Sequence, residues 1–256
     1  MRWFIIIALL FPLGAIAADD GRGMEIARTA EARFADYADQ RGEATMVIRT
    51  ADGDEARRDL RARSLDTDSG SRSLTIIDAP PDVAGTALLT HSHDQRPDEQ
   101  WLYLPALSRV KRIAAGNRAG AFMGSEFSYA DFTAQPVDKF DVTLLREDEL
   151  DGEPVYVLER TPDDADTAVY SRQVAWLDQA HYRTLRVEYY NKAGQHLKTL
   201  TADGFREYAN GQWRADELTM TNQLTGGTSI LRWREIEFDN GFTERDFSVD
   251  ALKRVR

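Results

Sequence analysis

The spacing of apolar positions changes once along this chain. Between Met24 and Tyr37 the residues Ala27, Ala30, Phe34 and Tyr37 recur at intervals of three and four, which predicts an amphipathic helix over residues 24–37. Its stripe holds few large side chains, so the helix is expected to dock on a surface and not to build a core. After Arg41-Gly42 the period becomes two, with Met46 and Ile48 alternating with Val47 and Arg49. Strands are predicted over 55–64, 74–77, 85–91, 100–104 and 108–113, with a polar loop from Asp66 to Arg72. A second, more regular set is predicted at 141–149, 153–160, 169–177, 183–190, 196–206, 212–224 and 228–238. On the strand over 183–190 the alternation puts Leu185, Val187 and Tyr189 on one face. Asp52-Gly53, Asp151-Gly152, Ala193-Gly194, Asn210-Gly211 and Gly226-Gly227 sit between these runs as hairpin turns. Ser248 is expected to cap a closing helical turn within residues 248–255. The pattern is that of a mainly β protein, an antiparallel meander of roughly eleven to thirteen strands. A sheet that large must curl or close, and a face wrapped around one helix makes an unclosed half-barrel the natural solution.

One stretch breaks the alternation. Trp101 to Phe132 packs two aromatic sets, a basic cluster and the glycines Gly116, Gly120 and Gly124 into one segment. Its first part reads as two short strands joined at Pro105, and residues 114–132 read as an irregular lid or mouth over the concave face. Trp101, Tyr103, Leu104, Phe122, Met123, Phe127, Tyr129 and Phe132 are the candidates for lining or lidding an apolar cavity. Ordinary burial in a core is the competing account of each one taken singly. Arg109, Lys111, Arg112 and Arg118 are candidates for docking a lipid headgroup or an acidic partner surface. The competing account is a solvated strand face paired with local acids.

The run Trp101–Ile113 (WLYLPALSRVKRI) followed by Phe122–Phe132 (FMGSEFSYADF) resembles the outer-membrane lipoprotein-sorting family. The resemblance is to its LolA-like proteins, a group distinct from LolA proper. It implies a half-barrel with helices over its concave side and an apolar cavity that shelters lipid or lipoprotein acyl chains. It also implies a periplasmic protein associated with RND-type (MMPL) inner-membrane exporters.

Composition bears on compartment and chemistry. Arg2, the apolar run Trp3 to Leu13 and the small-x-small pattern Ala15-Ile16-Ala17 predict a cleaved leader over residues 1–17, followed by a single domain over 18–256. Cleavage takes away one arginine and moves the net charge from −11 to −12, which argues against nucleic acid as a partner. There is no cysteine, so the fold is expected to stand on packing without disulfides. No G-x-S-x-G, H-E-x-x-H or cysteine nucleophile occurs, and the expectation is a monomeric, non-enzymatic carrier without cofactor. His91 and His93 share a strand face, but the chain offers too few clustered ligands around them, and no metal is expected.

Overall fold

The computed structural model describes residues 21–34, 37–208 and 211–254. The predicted leader lies outside these residues. The helix α1 (Arg22–Phe34) is followed by six strands: β1 (Asp39–Arg49), β2 (Glu55–Thr67), β3 (Gly70–Ala79), β4 (Ala87–His93), β5 (Glu99–Leu104) and β6 (Arg109–Ile113). An irregular segment of short 3-10 turns, residues 114–139, leads to β7 (Phe140–Leu150). Then come β8 (Glu153–Pro162), β9 (Arg172–Asp178), β10 (Thr184–Tyr190), β11 (His196–Glu207), β12 (Trp213–Asn222) and β13 (Thr228–Phe238), and the short helix α2 (Val249–Leu252).

All thirteen strands form one antiparallel sheet, in the order β6-β5-β4-β3-β2-β1-β13-β12-β11-β10-β9-β8-β7. Each neighbouring pair is consecutive in the chain except β1–β13, where the two ends of the sequence meet in mid-sheet. The hairpins follow from their turn residues. Asp151 (φ 52°) and Gly152 (φ 89°) both take positive φ, as a two-residue turn matched to strand twist requires. The sheet does not close, and β6 and β7 are its free edges.

One hydrophobic cluster draws Leu88 and Leu102 from one end of the sheet and Val142, Leu158 and Ala175 from the other. Strands so far apart share a cluster only if the sheet curls around it, and this defines the concave face. Helix α1 lies on that face with Ile26, Ala27 and Ala30 buried. The convex face of β2–β5 carries a second cluster, in which Leu74, Ile76 and Leu89 pack under Phe247 and Leu252 from the C-terminal segment. A third, on β8 and β9, holds Val155, Val157, Val174 and Trp176.

The structure departs from the sequence reading at four places. The helix ends at Phe34, so Tyr37 lies outside it; the Tyr37 ring packs edge-on to Phe238 of β13 at 5.3 Å, at the entry to β1. The expected polar loop 66–72 is almost wholly strand, because β2 and β3 stay paired out to Thr67 and Gly70. The short strand expected at 85–91 is shifted to Ala87–His93. Finally, a bulge between Thr184 and Arg186 turns Leu185 to the outer cluster, away from Val187 and Tyr189. The closing helical turn forms as expected, with Ser248 Oγ accepting the Ala251 N–H.

Asp39 holds the C-terminal segment to this frame. Its buried carboxylate accepts backbone N–H groups of Asn240, Gly241 and Phe242 at 2.7, 2.8 and 2.9 Å, and the Asn240 side chain at 3.0 Å. Burial raises its pKa, but the four N–H bonds outweigh burial and hold it below the usual carboxylate value. A depressed folded-state pKa contributes stability that is complete above the unfolded value and lost as pH falls through the folded one. Asp39→Asn should therefore lower the denaturation midpoint at neutral pH and flatten the acid limb of stability against pH. Denaturant titrations between about pH 7 and pH 3 measure both.

A strapped cavity on the concave face

Residues 114–139 run from the β6 edge to the β7 edge, across the open side of the curled sheet. This strap is pinned by its own aromatics. Phe122 and Phe127 are buried in the concave cluster, and Met123, Tyr129 and Phe132 pack against it. The Phe122 ring lies 4.7 Å from Phe132 and 6.0 Å from Tyr129, centroid to centroid. An antiparallel bridge between Ala121 and Ser128 folds this part of the strap into a small loop.

Polar bonds tie the strap to strands on both sides. Gln100 Nε2 donates to the Tyr129 carbonyl at 2.8 Å, and Ala134 N–H donates to Ser92 Oγ at 2.9 Å. Across the sheet, Glu126 N–H donates to Ser229 Oγ at 2.9 Å, and Asn222 Nδ2 donates to Glu126 Oε2 at 2.8 Å. Arg160 Nη2 donates to the Gln135 carbonyl at 2.9 Å, and burial lowers the pKa of that guanidinium.

The strongest tie is a buried ion pair. Lys198 Nζ of β11 meets Asp131 Oδ2 of the strap at 2.5 Å, with side-chain exposures of 4% and 6%. Asp131 also accepts the Ser128 N–H at 2.6 Å and the Tyr170 hydroxyl at 2.8 Å. The Lys198 ammonium sits 5.1 and 5.3 Å from the Tyr170 and Tyr189 ring centroids. Burial, then the Asp131 charge, raises the Tyr170 pKa well above the usual phenol value, so this phenol stays protonated and donates.

Beside the strap a cavity of about 410 Å³ remains on the concave face, inside the roughly 300–1,000 Å³ range of small-ligand sites. Phe34 of α1 and Phe132 of the strap border it, and Leu60, Leu218, Leu231 and Trp233 contribute to its sheet wall. Gly42 also lines it. A Cβ there would come within 2.8 Å of the Glu235 carbonyl and 3.1 Å of the Trp233 ring, so only glycine lets the indole lie flat on β1.

A family model whose description reads "Uncharacterized protein" (-like) matches residues 69–254. A solved domain from Vibrio parahaemolyticus assigned to outer membrane lipoprotein sorting is 42% identical, with TM-score 0.88, covering 91% of this chain and 99% of its own. A DUF1329 family protein from Desulfovibrio piger is 29% identical, with TM-score 0.87, over 91% of this chain and 99% of its own. The chain belongs to the DUF1329-like family, together with the Vibrio lipoprotein-sorting domain. A LolA superfamily protein from Nitrosomonas europaea, at 21% identity and TM-score 0.71, covers 90% of this chain and 98% of its own and shows the same fold. No curated protein matches the chain. Among the described residues no helix is long and apolar enough to cross a membrane.

Within this LolA-like frame the sequence-predicted residues separate into groups. Phe132 lines the cavity. Phe122, Met123, Phe127 and Tyr129 lie under the strap in the concave cluster, where they fill space beside the cavity, and Leu104 packs against the same cluster. Trp101 and Tyr103 stand on the opposite face, packed with Phe242 and Val249 against the cluster of Phe247 and Leu252. They share one face of β5, and the residues that cover them come from the far end of the chain.

The basic cluster divides as well. Arg112 bonds Glu99 at 2.8 Å, and Arg118 donates to the Asp98 carbonyl. Arg109 and Lys111 are exposed, and no side-chain hydrogen bond or ion pair involves them among the described residues. They stand next to the β5–β6 turn, where Leu107 is 67% exposed.

His91, His93 and Glu99 bring ligand-type atoms within 4.8 Å of one another. Two of the three are already engaged. Glu99 is bound by Arg96 at 3.0 Å and Arg112 at 2.8 Å, and His91 Nε2 donates to the Phe247 carbonyl at 2.7 Å. Burial holds both imidazoles below their usual pKa, with Arg72 and Arg96 adding to the effect at His93. A site ringed by three guanidiniums repels a divalent cation.

Sequence reasoning missed most of the cavity wall. Leu60, Leu218, Leu231 and Trp233 come from three strands of ordinary alternating pattern, and nothing local distinguishes them from core.

Proposed function

We propose that this protein is a periplasmic carrier that shelters acyl chains of a lipid or lipoprotein in the concave cavity. The observation that carries this reading is the apolar space left between sheet, helix α1 and strap, bordered by Phe34, Phe132, Leu60, Leu218, Leu231 and Trp233. Shelter is non-covalent: methylene groups pass from one apolar environment to another, each burial favourable by about 0.8 kcal/mol. The leader pattern of residues 1–17 and the lipoprotein-sorting assignment of the 42% identical Vibrio relative support the periplasm as its place of work. Sorting toward the outer membrane follows the same relative.

Native mass spectrometry of gently purified protein should show a lipid-sized adduct. Delipidated protein should bind a fluorescent fatty acid saturably. If neither is seen, the carrier reading fails.

A second reading is an adaptor for an RND-type (MMPL) inner-membrane exporter, favoured by the unpaired Arg109 and Lys111 beside exposed Leu107 on an edge hairpin. Reversing both charges to Glu should then abolish exporter capture without altering fatty-acid binding.

A further inference from the structure

No Asp or Glu lines the concave cavity among the described residues, although the sequence has 43 acidic side chains against 32 basic ones. Three arginines border it, but two carry their charge on the convex side: Arg41 pairs with Glu237 at 2.7 Å, and Arg63 lies over the Phe242 and Phe247 rings and donates to the Asp246 carbonyl at 2.9 Å.

Arg214 is the third, and its charge lies on the concave side against Phe34 of α1. It is held between aromatic rings, with its guanidinium carbon 5.0 Å from the Tyr37 centroid, 5.2 Å from Phe238 and 5.6 Å from Phe34. Among the described residues its hydrogen bonds go to neutral oxygens, the Tyr37 hydroxyl included. Nη1 donates to the Trp213 carbonyl at 2.9 Å and to Gln212 Oε1 at 3.1 Å. Nε and Nη2 reach Gln40 Oε1 and the Phe34 carbonyl only at 3.4 Å each. These two nitrogens form the side of the guanidinium fork that grips a carboxylate or phosphate with two parallel bonds, and it is the weakly held side. Asp216, two residues along β12, is taken by Arg206 at 2.5 Å. Burial lowers the Arg214 pKa, opposed by the phenols of Tyr37 and Tyr208. The Tyr208 hydroxyl is itself buried without a hydrogen-bond partner among the described residues.

A half-buried cation with no carboxylate beside it among the described residues is costly unless something pairs with it. We propose that the cavity takes an amphiphile with an anionic head, a fatty-acid carboxylate or a lipid phosphate, and that the Nε–Nη2 edge of Arg214 is the counterion for that head. The apolar wall of Leu60, Leu218, Leu231 and Trp233 receives the chain, and the guanidinium sets the orientation. A lipid with an uncharged head would fill the same space and leave Arg214 unmatched. The inference rests on the carrier reading above.

The test uses the delipidated chain of residues 18–256 at about pH 8, where a carboxyl is ionised. Palmitate, palmitoyl lysophosphatidate, hexadecanol and monopalmitoylglycerol compete against an uncharged fluorescent probe. Palmitate or the lysophosphatidate should bind about tenfold or more tightly than the two neutral ligands, the gain expected of a charge-assisted hydrogen bond. Whichever anion is tighter identifies carboxylate or phosphate as the head, and either order supports the proposal. Arg214→Gln should bring the anions down to the neutral ligands, Arg214→Lys should restore part of the gap, and Arg41→Gln should leave it intact. Equal binding of anionic and neutral ligands by the wild type overturns the proposal and leaves the carrier standing. So does a preference that survives Arg214→Gln in a variant with native circular dichroism. If none of the four ligands binds, the carrier reading itself falls. The wild-type comparison reads the preference even if a variant does not fold.

Discussion

Lys198→Met is expected to destabilise the protein by about 3–5 kcal/mol, because it leaves Asp131 as a buried carboxylate without its cation. Methionine fills nearly the same length of side chain, so the loss reports charge and hydrogen bonding more than volume. For a chain of this size the melting temperature should fall by roughly 6–20 °C. Asp131 would keep the Ser128 N–H and the Tyr170 hydroxyl, which offset only part of the missing charge. Asp131→Asn should also destabilise, by leaving the Lys198 ammonium among aromatic rings. The double variant should be more stable than the sum of the single losses predicts, since neither charge is then left alone. Thermal melts of the four proteins complete the cycle. Limited proteolysis should meanwhile show faster cutting between residues 114 and 139 in the single variants. A Lys198→Met protein that melts within a degree or two of wild type would mean that water reaches the pair and that the strap is not sealed there.

Phe122→Ala should cost about 3–5 kcal/mol, the usual range for emptying a fully buried aromatic position. Phe122 has no exposed surface and touches both Phe132 and Tyr129. The void would open beside Phe132, which already borders the cavity. Stability and capacity should therefore move in opposite directions: a lower melting point, but unchanged or tighter binding of bulky or branched acyl probes. If binding falls together with stability, Phe122 positions the strap over the ligand and is more than a space filler. Differential scanning calorimetry with probe titration at a temperature where both proteins are folded separates the outcomes.

Much of the sheet was legible because its cues are local. The strand over 228–238 and the turn at Asp151-Gly152 need only their own residues to be recognised. Leu185 was misplaced because the bulge that turns it outward is a property of the pairing of β10 with β9, not of the β10 sequence. Trp101 and Tyr103 read as cavity aromatics because β5 gives their shared face but not its cover; Phe247 and Leu252 supply that from about 150 residues away. The lid was legible by elimination, as the one long stretch without alternation. Its anchoring was not, since Lys198 and Asp131 lie 67 positions apart and neither looks unusual alone. Arg214 was invisible for the same reason: an arginine on an alternating strand is unremarkable until no carboxylate is found beside it among the described residues.

The meeting of the chain ends in mid-sheet gives the cavity a particular position. Strands β1–β6 and β7–β13 are two separate meanders, each built from neighbouring hairpins, and the β1–β13 pairing is the one seam that joins them edge to edge. That seam closes the longest loop in the sheet and is the pairing with most chain entropy to overcome. Gly42 on one side of it and Leu231, Trp233 and Ile236 on the other all line the cavity. An acyl chain held there as proposed would lie along the join and touch both halves, acting as mortar between two half-walls.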